Sequence, residues 1–357
     1  MVLTIVSFII VLGVLVFIHE FGHYITAKKS DIMVSEFALG FGPKLISKKV
    51  GETLYSIRAI PLGGFCNMVG EFPADDSMPE AEREIYDQAK ADGRLFTQKS
   101  TFKRLAVILM GPIMNFLLAV LIFILAFAVF GVPTSTTEDA VLGEVIPEQP
   151  AAEAGLRAND RILAINEQEI NSWEEMSAVI RENVDQEISI RYQRNGEVNT
   201  INVTPVLSED SDRGVIGVYP QLIRENVSFL RSISLGLQQS YQVFVMTISG
   251  FVQMFRESSA EDIGGPIMIA SIIGQAARVG ILNVLNWTAI ISINLGIINL
   301  LPFPALDGGR ILFIVIEMIR GKAVDPRKES YVHMIGFAIL MLLMLFIIYN
   351  DLMRTFF

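Results

Sequence analysis

Cysteine and histidine are both scarce in this chain of 357 residues. The single cysteine, Cys66, excludes an internal disulfide and any zinc site built from cysteines. Only three histidines are present, and two of them, His19 and His23, lie four residues apart. Any metal ion must therefore be held by histidine together with carboxylate ligands.

Charged residues are also few, at 18% of the chain against 52% for hydrophobic residues. A mean hydropathy of +0.48 is too apolar for an ordinary soluble domain. The net charge of −10 at pH 7 gives no basis for nucleic-acid binding. Composition therefore predicts a protein embedded in a lipid bilayer, with no nucleic-acid partner.

Long apolar runs predict four transmembrane helices. The first run has no basic start and no small-residue cleavage site, so we expect it to be retained as a helix. Lysine and arginine concentrate in the loops after the first helix, before the second, and between the third and fourth. These loops are expected to be cytoplasmic, which places both termini and residues 132–281 outside the cytoplasm.

The predicted fold class is a polytopic α-helical membrane protein with a membrane-associated β-hairpin and an inserted α+β PDZ domain. The expected segments are 1–27 (first transmembrane helix), 28–103 (cytoplasmic region with the hairpin at about 54–69), 104–131 (second transmembrane helix), 132–222 (PDZ domain), 223–281 (amphipathic interfacial helices), 282–310 (third, broken transmembrane helix), 311–332 (cytoplasmic loop) and 333–353 (fourth transmembrane helix).

The inserted region has a soluble, mixed composition with clear turn signals. Asn195-Gly196 between two alternating segments predicts a hairpin. The region resembles PDZ domains of the protease-associated kind through Pro150-Ala151-Ala152, Ala154-Gly155-Leu156 and Asn159-Asp160-Arg161-Ile162. Asn159 stands where the usual pattern has glycine, and asparagine tolerates left-handed backbone better than most residues, so we expect the turn to be kept.

The sequence His19-Glu20-Phe21-Gly22-His23 follows an apolar run that begins at Val2. H-E-x-x-H on a helix is the two-histidine signature of zinc metalloproteases. Residues four apart lie on one helix face, so both imidazoles can bind one zinc ion. Glu20 fits the base that takes a proton from water and returns it to the leaving amine. Ionisable groups inside a transmembrane helix cost about 2.5–3.5 kcal/mol each, so three within five residues indicate function.

A catalytic zinc site of this kind needs a third protein ligand and one open position. Asp307 is the best candidate, because the third span should deliver it to the cytoplasmic end, at the depth of the histidine pair. Two prolines precede it, and irregular backbone at membrane depth is tolerated only where it is buried or lines a wet cavity. Its simplest other role is to cap a helix before Gly308-Gly309. Cys66 lies in the separate hairpin region, and His333 is more simply explained as an interfacial histidine.

Together these residues resemble the site-2 protease family of intramembrane zinc metalloproteases, especially its bacterial branch that cleaves anti-sigma factors. The resemblance covers nearly the whole chain and is carried by His19-Glu20-Phe21-Gly22-His23, Gly40-Phe41-Gly42-Pro43, the glycine-rich stretch 61–70, Gly111-Pro112-Ile113-Met114-Asn115-Phe116, Gly264-Gly265-Pro266-Ile267 and the segment 294–309. It implies one zinc ion per chain, held by His19, His23 and Asp307 with Glu20 as the catalytic base. It also implies a multi-pass protein of the bacterial cytoplasmic membrane.

The resemblance further implies that Asn299 helps to hold the substrate and that the 54–69 hairpin dips into the membrane beside it. A substrate helix protects its own backbone, so hydrolysis requires local unwinding. We expect Gly63, Gly64 and Phe65 to bind the unwound strand by strand addition, with Asn299 and Asn294 assisting. The expected substrates are single-span membrane proteins in regulated intramembrane proteolysis, such as pre-cleaved anti-sigma factors or remnant signal peptides. The PDZ domain would filter substrates by size or contact a peptide tail.

Three other functions stay open at this point. A membrane-anchored protease of soluble cytoplasmic peptides would need the histidine face outside the hydrocarbon region, which the flanking apolar residues disfavour. A PDZ-bearing scaffold with a decayed metal site is disfavoured by the intact His19, Glu20, His23 and Asp307. A transporter would also use broken helices, but no paired inverted halves are visible in the sequence.

Overall fold

The computed structural model describes residues 1–72, 74, 78–136, 139–147, 149–208, 213–257 and 265–356. Within them the helices are α1 (Val2–Lys29), α2 (Glu80–Ala91), α3 (Thr101–Phe130), α4 (Pro150–Ala154), α5 (Trp173–Glu182), α6 (Phe229–Glu257), α7 (Pro266–Val279), α8 (Ile281–Leu300), α9 (Asp307–Arg320) and α10 (Pro326–Phe356). The strands are β1 (Val34–Val50), β2 (Thr53–Met68), β3 (Val132–Thr136), β4 (Leu142–Val145), β5 (Arg161–Ile165), β6 (Gln168–Glu169), β7 (Ile188–Arg194), β8 (Glu197–Val203), β9 (Val206–Leu207), β10 (Gly214–Val215), β11 (Val218–Pro220) and β12 (Leu222–Glu225). Gly264, quoted above in a sequence motif, lies outside the described residues.

Four helices in the described part of the chain are long and apolar enough to cross a membrane. They are Val2–Lys29, Thr101–Phe130, Ile281–Leu300 and Arg327–Met353. In each apolar window, between 11% and 33% of the residues are buried inside the protein. Most residues in these windows therefore keep some exposed surface, as expected for helices in contact with lipid. The prediction of a polytopic helical membrane protein with an inserted α+β region is confirmed.

The third membrane helix differs from its predicted form. It ends at Leu300, and a non-helical loop at 301–306 separates it from α9, which begins at Asp307. The two prolines in this loop account for the break, because proline lacks the backbone N–H that continues a helix. The segment 311–332, predicted to be a loop, is mostly helical. Its basic residues had suggested a loop, but Arg320 ends α9, Arg327 and Lys328 lie at the start of α10, and Lys322 alone of them lies in the short linker 321–325.

The region predicted to be a hairpin at 54–69 is instead one strand of a longer antiparallel pair, β1 with β2. Its turn is at Gly51, whose φ of 62° favours glycine. Residues 36–39 have a partner on each side, since they pair both with 54–57 and with 64–67. Strand 53–58 is therefore internal, and the free edges are 44–50 and 64–68. Sequence alternation cannot reveal this pairing, because both partners are non-local.

Helix α6 packs along two membrane helices. Gly236 allows close approach to Ile124 of α3, where an added Cβ would lie 2.6 Å from the Ile124 side chain. Farther along, Phe244 contacts Phe116 of α3 with ring centroids 5.9 Å apart. Thr247 donates a hydrogen bond of 2.8 Å to Asn294 of α8. The rise along α6 from Gly236 to Thr247 is about 16 Å. The interfacial placement expected for 223–281 stays a prediction, with this lengthwise packing added to it.

Residues 125–232 and 278–282 form a second compact unit. It contains the predicted PDZ domain and is called the middle unit, or PDZ-like unit. Its main sheet is antiparallel in the order β6-β5-β7-β8 and covers a core of buried aliphatic side chains such as Ile162, Ile188 and Met176. The hairpin expected at Asn195-Gly196 joins β7 to β8, with both residues in left-handed backbone. Asn159 has a φ of 70°, which is the left-handed turn that the sequence predicted.

Candidate metal centre

Helix α1 places His19 and His23 one turn apart on its buried face, at 8% and 5% exposure. Their Nε2 atoms are 3.2 Å apart. Glu20 lies between them in sequence on the same helix, half-buried. The i, i+4 spacing thus brings the two imidazoles together, as the sequence predicted.

Asp307 reaches this pair from the other side of the 301–306 loop. Its Oδ2 lies 3.2 Å from His19 Nε2 and 3.4 Å from His23 Nε2. Two glycines make this approach possible. An added Cβ at Gly308 would overlap the backbone carbonyls of Leu300 and Leu301, and one at Gly309 would lie 2.5 Å from Phe303 O. The helix start can therefore pack directly onto the loop that precedes it.

The three donor atoms form a group that fits a zinc ion. They are the members of the His, Cys, Asp and Glu cluster with metal-ligand spacing found among the described residues. Tetrahedral zinc with bonds of about 2.0–2.1 Å places its ligand atoms about 3.3 Å apart, close to the 3.2–3.4 Å seen here. Asp307 Oδ2 is buried and has no hydrogen-bond partner among the described residues, as expected for an atom reserved for a metal. The capping role considered for Asp307 is not observed, because α9 begins without a side-chain cap.

The outer nitrogens of both imidazoles are held by helix α3. His23 Nδ1 lies 2.9 Å from the Val107 carbonyl oxygen, so this nitrogen carries a proton and donates it. His19 Nδ1 lies 3.2 Å from the side-chain amide of Asn115. Ser292 of α8 in turn donates to the Asn115 carbonyl at 2.8 Å. These contacts fix the orientations of both rings, and the bond to Val107 leaves Nε2 of His23 without a proton.

No role for Val107 or Asn115 was predicted from the sequence. Asn115 was part of a quoted motif, which was the available signal, but nothing in the motif shows which side chain it contacts. The contact depends on close packing of α1 on α3. Gly22 permits this packing, since an added Cβ there would lie 2.8 Å from the Met114 side chain.

A cavity of about 490 Å³ opens at the three donors. Its wall includes the predicted substrate residues Gly63, Gly64, Phe65 and Asn299. Gly64 lies against the Glu20 side chain, with 3.4 Å between an added Cβ and Glu20 Cγ. Strand edge 64–68 therefore borders the centre directly.

Asn294 is not part of this cavity wall. Its Oδ1 accepts a hydrogen bond of 2.8 Å from Thr247 Oγ1 of α6. Asn294 and Asn299 lie five residues apart, so they point to different faces of α8. The structure thus brings Asn299 to the centre and places Asn294 at a helix contact.

The match to a known protein family includes His19, His23 and Asp307. The profile of peptidase family M50 matches residues 7–343, which is nearly the full chain. The chain belongs to peptidase family M50.

Several relatives match this M50 peptidase over almost their whole length. Zinc metalloprotease RasP of Oceanobacillus iheyensis is 37% identical, with 99% of each chain covered. Regulator of sigma-W protease RasP of Bacillus subtilis is 33% identical, again with 99% of each chain covered. Probable protease eep of Enterococcus faecalis is 31% identical, with 99% of this chain and 100% of that protein covered. This M50 peptidase is therefore a zinc-dependent metalloendopeptidase of the membrane.

Two solved structures each match about a quarter of this M50 peptidase. The crystal structure of the PDZ domain of an SdrC-like protein from Listeria monocytogenes is 20% identical, with a TM-score of 0.22, 24% of this chain and 92% of that chain covered. A solution structure from Geobacillus thermodenitrificans is 25% identical, with a TM-score of 0.21.

Two further residues of this M50 peptidase border the cavity. Arg310, one turn after Asp307, pairs with Glu71 and lies over the Phe72 ring, 5.2 Å from its centroid. Arg310 was not among the residues predicted from the sequence, although its position beside the Asp-Gly-Gly motif was a usable signal. Cys66 also lines the cavity, but burial raises the pKa of its thiol, so it stays neutral and outside the donor group.

Proposed function

We propose that this M50 peptidase hydrolyses a peptide bond within the transmembrane segment of single-span membrane proteins. The observation that carries the proposal is the position of the donor group. His19 and His23 belong to a helix of membrane-spanning length, and their donor atoms face a cavity bordered by a free strand edge. Such a cavity can receive an extended chain.

His19 Nε2, His23 Nε2 and Asp307 Oδ2 are the proposed zinc ligands. A zinc ion held by these three residues would supply Lewis-acid chemistry, which makes a peptide carbonyl group more electrophilic and water more acidic. The contact to Val107 keeps His23 in the tautomer that leaves its Nε2 without a proton, and the Asn115 side chain orients the His19 ring.

Glu20 is the proposed proton carrier. It does not belong to the donor group, yet it borders the same cavity. Its carboxylate takes a proton from the attacking water and then gives that proton to the leaving backbone nitrogen. The neighbouring strand edge keeps this side chain close to the substrate position, since Gly64 leaves room for it.

Strand edge 64–68 is the proposed partner of the unwound substrate. Residues 36–39 pair with one side of it, so its other side is available for strand addition. The internal strand 53–58 cannot serve in this way, because it has partners on both sides. Asn299, which shares the cavity, would supply a further hydrogen bond to the substrate backbone.

The proposed substrates are membrane proteins already trimmed outside the membrane, such as pre-cleaved anti-sigma factors or remnant signal peptides. One relative is named as a regulator of sigma-W, which supports a role in regulated intramembrane proteolysis. In the proposed topology both termini and the PDZ-like unit lie outside the cytoplasm. The PDZ-like unit would then exclude substrates with large external domains or contact their new tails.

The decisive experiment compares wild type with Glu20→Gln and Asp307→Asn in detergent. We expect about one zinc per wild-type chain and cleavage of a model single-span substrate. Glu20→Gln should keep zinc and lose cleavage, because the proton carrier is gone while the ligands remain. Asp307→Asn should lose both. Cleavage by Glu20→Gln at the wild-type rate would overturn the proposed mechanism.

The substrate class needs its own control. A soluble peptide with the cleavage-site sequence, offered at the same concentration, should be cleaved far more slowly than the single-span substrate. Equal rates for both would favour a membrane-anchored protease of soluble peptides.

Cross-linking tests strand addition. Asn67→Cys lies on the inner edge, strand 64–68, and is made in a Cys66→Ala and Glu20→Gln background. It should form a disulfide with a cysteine placed near the scissile bond of the substrate. Ser47→Cys lies on the outer edge, strand 44–50. It is the matched control and should not cross-link to the substrate. Equal cross-linking at both positions would exclude selective binding at the inner edge.

A further inference from the structure

The loop that leads into Asp307 has an unfavourable backbone conformation. Ala305 has a φ of 78°, in the left-handed region that alanine rarely adopts, because its Cβ crowds the following carbonyl oxygen. Such conformations persist only when the surrounding structure holds them. Ala305 and Leu306 also line the catalytic cavity, and Asp307 follows directly. Whatever holds Ala305 therefore also controls the position of the proposed third ligand.

Helix α10 makes the contacts that hold this loop. The Ala305 N–H donates a hydrogen bond of 2.9 Å to His333 Nδ1. One turn later, Gly336 lets the helix approach Pro304, since an added Cβ would lie 2.6 Å from the Pro304 carbonyl oxygen. The His333 ring is fixed from the other side by Phe313 of α9, with ring centroids 5.6 Å apart.

Histidine is an unfavourable residue at position 333 on packing grounds alone. It is 6% exposed, although an interfacial histidine had been expected there. Because Nδ1 accepts a hydrogen bond, the neutral ring carries its proton on Nε2. Nε2 is buried and has no partner among the described residues, which is costly compared with an apolar side chain of similar size. The bond to Ala305 is thus the polar contact that the ring is seen to make.

We infer that His333 is a positioning residue of the zinc site. It holds Ala305 in its left-handed conformation and thereby sets Asp307 against His19 and His23. The inference rests on the proposed role of Asp307 as a ligand. It assigns a task to the last membrane helix, which contributes none of the proposed ligands.

The test compares two substitutions of similar size in the full-length protein. His333→Asn keeps an acceptor near the position of Nδ1, whereas His333→Leu removes it. We expect zinc release to an excess of chelator to be about tenfold faster in His333→Leu, and close to wild type in His333→Asn. Phe337→Leu, on an exposed face of α10, is the control for a change in the helix itself. Equal release from His333→Leu and wild type, or equal losses in both His333 variants, would overturn the inference.

A second variant addresses the strained alanine directly. Glycine adopts left-handed backbone without strain, so Ala305→Gly added to His333→Leu should slow zinc release toward the wild-type rate. Release as fast as in His333→Leu alone would contradict the holding role. Asp307→Asn is measured in parallel. If Asp307→Asn keeps zinc, the assignment of Asp307 as a ligand is wrong. If Asp307→Asn loses zinc while His333→Leu keeps it as firmly as wild type, only the positioning role of His333 is wrong.

Discussion

Gly111 of α3 lies directly against the imidazole of His23. An added Cβ at this position would overlap the Nε2 side of the His23 ring and would lie 3.0 Å from His19 Cε1. The two imidazoles can meet one metal ion here because the facing helix has no side chain at residue 111. The absence of a side chain at Gly111 therefore leaves the space that the two imidazoles need.

Replacement of Gly111 by alanine should abolish zinc binding. The new methyl group would displace the His23 ring. The ring has little room to move aside, because it lies between the closely packed helices α1 and α3. Zinc content after purification measures this, and we expect a fall from about one ion per chain to near zero. Gly13→Ala is the matched control, since nothing lies within 4 Å of a Cβ at that helical position. Full zinc content in Gly111→Ala would contradict this account of the centre.

Part of this site could be predicted from the sequence because it is encoded locally. The His19 and His23 pair follows from helical periodicity alone, and Asp307 could be added from the direction and depth of the spans. The contacts that hold these ligands could not be predicted. Asn115 and His333 act across helix packing between segments far apart in sequence, and no local pattern shows which side chains such packing brings together.

The fold shows the same division. Long apolar runs predicted the membrane helices, because length and hydropathy are sufficient for a helix in lipid. The double pairing of residues 36–39 was missed, since strand alternation shows which residues face a surface but not which strand is the neighbour. The expected contact residues Gly64 and Phe65 do lie on the free edge 64–68, but the sequence does not show that 53–58 is internal.

The cluster of charges around Glu52 should make stability depend on pH. Glu52 accepts hydrogen bonds from Arg94 at 2.6 and 2.8 Å and also pairs with Lys28. These bonds, led by those from Arg94, lower the pKa of Glu52 from 4.5 to about 2. A carboxyl group with a lowered folded-state pKa stabilises the fold above its unfolded pKa. That contribution is lost as the pH falls from about 4.5 toward 2.

Glu52→Gln should therefore lower the unfolding temperature at pH 7 but have little effect near pH 2. Since Glu52 is partly exposed, we expect a loss of about 1 kcal/mol at pH 7 after solvent screening. Thermal unfolding in detergent across this pH range measures the difference from wild type. Glu84→Gln, at an exposed position of α2, is the control and should show no such convergence. A difference that stays constant from pH 7 to pH 2 would contradict the assignment.

The buried ion pair of the middle unit should determine the stability of that unit. Arg194 donates two hydrogen bonds of 2.7 Å to the fully buried Asp160, which also accepts one from the Arg157 amide. Removal of Asp160 leaves the Arg157 amide without its acceptor and Arg194, whose side chain is 26% exposed, without its counter-ion, so Asp160→Ala should cost about 2 kcal/mol. Limited proteolysis of the full-length protein should then cut the middle unit faster while zinc content stays unchanged.

The exposed pair of Arg161 and Asp139 in the same unit provides the comparison. Both side chains are more than half exposed, so Asp139→Ala should cost less than about 1 kcal/mol and leave proteolysis near the wild-type rate. Equal sensitivity of the two variants would show that burial does not decide the strength of these pairs. Loss of zinc in Asp160→Ala would show that the unit is needed to keep the metal centre intact.

The proposed membrane orientation can be tested because the chain has one cysteine, which a Cys66→Ala background removes. A new cysteine at Thr200, exposed on β8, should react with a membrane-impermeant maleimide in intact protoplasts. A cysteine at Lys48, exposed on β1, should react only after lysis, because the basic loops are expected to face the cytoplasm. Labelling at Lys48 without lysis would reverse the topology. A reversed topology would place the PDZ-like unit inside the cell, where it could not act as a filter for external substrate domains.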